Sequence, residues 1–92
     1  MTGIRALDEF VASRLGGDAS RLLELFETRE VFDALRAGAH PSDWYHFEPN
    51  TYDGRYLIET PDGYETYQQD RGSKTLVERF ASLSAAAAAV FL

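Results

Sequence analysis

Arg55-Tyr56-Leu57-Ile58-Glu59-Thr60-Pro61-Asp62-Gly63-Tyr64-Glu65-Thr66-Tyr67-Gln68-Gln69-Asp70 decides the fold of this chain. Aromatic and β-branched residues alternate with polar ones on both sides of Pro61-Asp62-Gly63, the pattern of two half-buried strands joined by a tight turn. Proline presets φ, aspartate closes a local hydrogen bond and glycine accepts a left-handed backbone, so 55–60 and 64–70 should form a hairpin. A three-residue loop with a glycine bulge sets Thr60 opposite Tyr64, Ile58 opposite Thr66, Tyr56 opposite Gln68, Glu59 opposite Glu65 and Leu57 opposite Tyr67. Arg55, Glu59 and Glu65 then share one face, while Tyr56, Ile58 and Tyr64 turn towards the helices. A two-residue loop would slip this pairing and undo the arrangement.

Working outward, Arg71-Gly72-Ser73-Lys74 reads as a second turn and 75–80 as a last strand. Ser82 or Ser84 caps a terminal helix built on five consecutive alanines, 85–89, which have the highest helix propensity. Upstream, 44–48 is a short aromatic strand closed by Pro49-Asn50, and Tyr52-Asp53-Gly54 turns the chain into 55–60. Before Pro41 the period is helical. Ile4, Leu7, Phe10, Val11 and Leu15 share one face of a first helix, with Thr2 as N-cap and Gly16-Gly17 as its end. Asp18 or Ser20 caps a second helical segment whose apolar side, Leu22, Leu25, Phe26, Val31, Phe32 and Leu35, runs to Gly38. Thr28 could break that segment in two. The expected fold is one α+β domain over 1–92: helical at 1–40, a sheet at 43–80 and a C-terminal helix at 82–92. Helices pack on one face of an antiparallel sheet of three or four strands.

Ninety-two residues fit one thin core, burying roughly 60–65% of the unfolded surface. With 45% hydrophobic and 26% charged residues the composition is that of a globular protein. The absence of cysteine removes disulfides and thiol chemistry together and fits a reducing compartment, so cytoplasm is the expected location. Asp8 and Glu9 interrupt the apolar pattern that a secretory signal would need, and no run approaches the roughly 20 residues that span a bilayer. A sequence pI near 4.7 with one lysine argues against nucleic acid, because phosphate binding depends on clustered Lys and Arg.

The negative charge and the rings fall together. From 41 to 70 stand seven acids and one base, Arg55, so this window carries the whole net charge of −6. All five tyrosines and the tryptophan lie within it. Aromatic rings among carboxylates suit a surface that grips something basic. Trp44, Tyr56 and Tyr64 are assigned to the core, Tyr52 and Tyr67 to the surface. Glu59 opposite Glu65 would destabilise the sheet by up to about 1 kcal/mol unless a cation intervenes, either a partner's or that of Arg79 on the neighbouring strand.

Catalytic signatures are missing. His40, Asp43 and His46 lack the paired spacing of zinc ligands, and Ser42, Asp43 and His46 crowd too closely to converge as a triad. Glu59 and Glu65 on an open face lack the cleft that would separate their acidities. No glycine-rich phosphate loop follows a strand. The expectation is a protein that is not an enzyme and has no cofactor.

Gly63-Tyr64-Glu65-Thr66-Tyr67-Gln68-Gln69-Asp70-Arg71-Gly72, followed by Phe80, Ser82 and the alanines, resembles small immunity proteins of bacterial polymorphic toxin and contact-dependent inhibition systems. The likeness covers the last third of the chain. Asp70 stands where that pattern more often has Glu, Tyr64 where it has Trp, and Leu83-Ser84 where acids are common. The resemblance implies neutralisation of a cognate toxin domain by direct binding. The charge distribution independently leads to a basic partner, met through Asp43, Glu48, Tyr52, Asp53, Glu59, Asp62, Glu65 and Tyr67, by a monomer or weak homodimer; joined to the resemblance, it implies a basic toxin such as a nuclease. The alternative is a small structural or regulatory subunit that docks or self-associates through its sheet edge, with Tyr45, Phe47 and Val77 in contact.

Overall fold

The computed structural model describes residues 4–38 and 42–92. Three helical segments precede the sheet and one follows it. α1 (Arg5–Arg14) stops where Gly16 and Gly17 take φ of 62° and 86°, conformations that side chains resist. A 3-10 helix (Ala19–Phe26) comes next, started by Asp18, whose carboxylate accepts from the Ser20 amide at 3.0 Å. α2 (Glu30–Ala37) is a separate helix ending at Gly38, so the break at Thr28 is real. Thr2, His40 and Pro41, to which the sequence gives roles, lie outside the described residues. No helix among the described residues is long and apolar enough to cross a membrane.

The sheet has four strands in chain order: β1 (Tyr45–His46), β2 (Gly54–Thr60), β3 (Gly63–Asp70) and β4 (Ser73–Phe80). β2, β3 and β4 pair antiparallel, but β1 pairs parallel to β2, so the sheet is mixed rather than antiparallel throughout. Alternation along 44–48 carries no information on strand direction. Pro49-Asn50, read as the close of a strand, lies in the connection that returns the chain to the same end.

The expected hairpin is present in a different register. Thr60 pairs with Gly63, leaving the two-residue loop Pro61-Asp62. Neither loop residue has positive φ, so the turn is unprimed, and Gly63 takes φ 149° inside the strand. The one-residue slip changes every pair: Glu59 opposes Tyr64, Ile58 opposes Glu65, Leu57 opposes Thr66 and Tyr56 opposes Tyr67. Leu57 and Tyr64, not Tyr56 and Ile58, therefore face the helices. The second turn does use a primed geometry. Arg71 and Gly72 have φ of 52° and 81°, as a type I′ turn requires, and Asp53 Oδ1 accepts from the Arg71 amide at 2.9 Å. A left-handed L-residue costs about 1–2 kcal/mol, and asparagine tolerates that region best, so Arg71→Asn should raise stability by roughly 0.5–1 kcal/mol in urea denaturation.

α3 (Leu83–Phe91), capped by Ser82, whose hydroxyl oxygen accepts from the Ala85 amide at 3.2 Å, lies with the N-terminal helices on one face of the sheet. Its alanines allow close approach: Ala86 and Ala87 are buried beside Leu7, Phe26, Phe32, Leu35, Phe47 and Leu57. Arg55 on this face donates to the Ala89 carbonyl at 3.3 Å, satisfying one of the acceptors the helix end leaves open.

The far face is not bare. Tyr56, Ile58 and Tyr67 form a second buried cluster there. The connection from β1 folds back over it: the Tyr52 carbonyl accepts from the Tyr56 hydroxyl and from Gln69, and Gln69 also donates to the Asn50 carbonyl. Rings follow one another in a row, Tyr52 tilted on His46 (5.6 Å between centroids), His46 tilted on Tyr56 (4.9 Å) and Tyr56 stacked on Tyr67 (4.7 Å), with the Lys74 ammonium 4.5 Å above the last ring.

Candidate binding surface

Each carboxylate read from the sequence as a partner contact has a definite place, and most have an internal use. Glu59 pairs with Arg29, the residue just before α2, which also reaches Asp33 at 3.2 Å; Arg36 bridges Asp33 at 3.3 Å and Glu48 at 4.0 Å. Glu59, Arg29, Asp33, Arg36 and Glu48 thus form one ladder of alternating charge, with both arginines over the buried ring of Phe32. Glu65 does not oppose Glu59; it opposes Arg79 on β4 and pairs with it at 3.5 Å, the neutralisation expected from within the fold. Asp53 holds the Arg71 turn. Asp62 sits exposed on the hairpin loop beside an open hollow of about 440 Å³ lined also by Glu65 and Arg79. Asp62 and Asp70 form no ion pair among the described residues.

The rings are redistributed as well. Tyr67, expected at the surface, is buried, because the register slip turns it onto the far face under Lys74 and against Tyr56. Trp44, expected in the core, is 53% exposed at the start of β1. Its backbone is what the fold uses: the Trp44 carbonyl accepts from the Arg55 amide at 2.8 Å. Tyr52 is exposed as expected, and Tyr56 and Tyr64 are withdrawn from solvent as expected, on opposite faces.

One end of the sheet therefore gathers Asp43, Trp44, Tyr52 and Asp53, with Asp70 and Arg71 at the neighbouring turn. Glu59, Asp62 and Glu65 lie towards the other end. Trp44 and Asp70 are the members that sequence reasoning missed. Residues 42–53 hold three acids and no Lys or Arg, and their one histidine, His46, is buried, its Nε2 donating to the Asp53 carbonyl at 3.2 Å.

Burial sets the acidity of two hydroxyls on the far face. Loss of solvent pushes the Tyr67 phenol up to about 12, reinforced by Tyr56 and Glu65, and raises the Tyr56 phenol for the same first reason. The neutral phenol is thus the native form. Its stabilisation is complete below the ordinary tyrosine value of 10.0 and is lost as pH rises through about 12. Ultraviolet titration should show tyrosine ionising late, together with a fall in stability between those limits; Tyr67→Phe should remove most of that fall.

No group of three or more His, Cys, Asp or Glu among the described residues is placed to hold a metal ion. Comparison with protein-family models, with curated proteins and with solved structures finds no match.

Proposed function

We propose that this chain is a non-enzymatic binding protein that neutralises a basic toxin domain, in the manner of an immunity protein, through the acidic aromatic segment 42–53. The observation that carries this reading is Trp44, an indole 53% exposed in a stretch with three carboxylates and no Lys or Arg. Exposed tryptophans supply a large share of binding energy at protein interfaces, and flanking acids accelerate encounter with a cationic partner. Compared with the expectation from sequence, the contact shifts from the hairpin to the β1 end: Glu59 and Glu65 pair with Arg29 and Arg79, whereas Trp44 and Tyr52 keep exposed rings at that end.

The test begins with the neighbouring gene: where it encodes a large secreted protein with a variable C-terminal domain, that domain is co-expressed with this chain. Wild-type chain should restore growth and co-purify with that domain. Trp44→Ala should weaken the complex by about 2 kcal/mol, roughly thirtyfold in Kd, and added salt should slow association. Growth arrest unrelieved by the wild-type chain would refute the function. Full affinity in Trp44→Ala combined with Asp53→Asn would refute the surface.

A further inference from the structure

β1 and β4 are opposite edges of the sheet, and they differ in charge. The β1 side has the acids of 42–53. β4 presents Lys74 and Arg79 on the far face, as their pairing with Gln69 and Glu65 requires, and Glu78 on the other; the Arg79 side chain reaches Glu65 at 3.5 Å and is still 84% exposed. Each edge also shows apolar surface: Trp44 on one, and on the other Leu76 and Val77, 66% and 49% exposed.

Leu76 is strained as well as exposed. The ladder between β3 and β4 shifts between Thr66 and Gln68, so that Leu76 and Val77 together oppose Tyr67, and Leu76 takes φ 55°. A left-handed leucine costs about 1–2 kcal/mol, and here it leaves the side chain in water. Strain that presents an apolar group outward calls for something to cover it.

We propose that the two edges are the two halves of one head-to-tail contact between copies of this chain. Leu76 and Val77 of one copy pack on Trp44 of the next, with Lys74 and Arg79 towards the end of the sheet that holds Asp43 and Asp53. The contact is made by side chains rather than by extending the sheet, since β1 is two residues long and the bulge and Lys74 interrupt the free edge of β4. Because the halves are different patches, copies add in an open series instead of closing as a pair. Self-association covers Trp44, so it competes with the toxin for the same surface.

Sedimentation velocity over a concentration series tests this with wild type, Trp44→Glu and Leu76→Glu. Wild type should sediment faster as concentration rises and return to monomer in 1 M salt, where the screening length is about 3 Å. Each variant alone should remain monomeric, because it lacks one half of the contact. Their mixture should form a 1:1 pair and stop there, Leu76→Glu supplying the Trp44 edge and Trp44→Glu the β4 edge. A wild-type chain that stays monomeric throughout would overturn the contact without any variant, and one that does so while still neutralising its toxin leaves the binding function standing. Association of wild type without pairing in the mixture would overturn the assignment to these edges.

Discussion

Gly54→Ala should release β1 from the sheet. Gly54 has φ 145°, and a Cβ there would overlap the Trp44 carbonyl oxygen and reach 3.0 Å from the His46 ring. Backbone strain of about 1–3 kcal/mol adds to overpacking of about 1–3 kcal/mol, so the loss should be roughly 2–6 kcal/mol. That is a large share of the 5–15 kcal/mol typical of a domain. The neighbouring Arg55 amide would lose its bond to Trp44, and the stack beginning at Tyr52 and His46 would lose its outer members. Urea denaturation gives the magnitude. A Gly54→Ala protein within about 0.5 kcal/mol of wild type would mean that β1 does not approach so closely.

Phe32→Ala is the second large loss, about 3–5 kcal/mol. Phe32 is fully buried on α2, edge-on to Phe47 at 6.0 Å and to Tyr64 at 5.9 Å, so one ring joins α2, the segment after β1, and β3. Its outer side is covered by the Arg29 and Arg36 guanidiniums, at 5.9 and 5.5 Å. Removing it opens a cavity and also takes away the floor of the charge ladder, so Glu59 and Glu48 lose their ordered partners. In a domain of this size, with a typical melting shift of 4–8 °C per kcal/mol, the midpoint should drop by more than about 10 °C. A smaller drop would show that the surrounding side chains collapse into the space.

Much of the architecture is legible in the residues. The apolar face of α1, its stop at Gly16-Gly17, the cap at Asp18, the hairpin around Pro61-Asp62 and the alanine helix all rest on local chemistry that tertiary contacts do not override. Register is different, because it hangs on one turn. Pro61-Asp62-Gly63 satisfies both a bulged three-residue loop and an unprimed two-residue loop, and the choice reverses the side on which Tyr67 lies. A signal was nevertheless present: Tyr56-Leu57-Ile58 is a continuous apolar run, which suits a strand covered on both faces better than one with a wet side. Following that run would have put Tyr56 and Ile58 beneath a covering of their own.

The candidate site was less legible for a reason of charge. Counting acids along 41–70 treats the chain as a line, and along that line they have one base. Folding brings Arg29 from the cap of α2, Arg36 from α2 and Arg79 from β4 to Glu59, Glu48 and Glu65. The excess that remains is spread over loop ends and the β1 side, while Arg55, the one base in the window, turns inward to α3.

The chain-order sheet also governs how the molecule assembles in time. β2, β3 and β4 are joined by loops of two residues each, so their pairing closes short segments at small entropic cost and should form early. β1 must wait, because its parallel seam gains only two pairs after ordering the connection that follows it. The last segment to settle is then the one that carries Trp44. A newly made chain would have its three-stranded meander in place before the surface proposed to meet a partner exists.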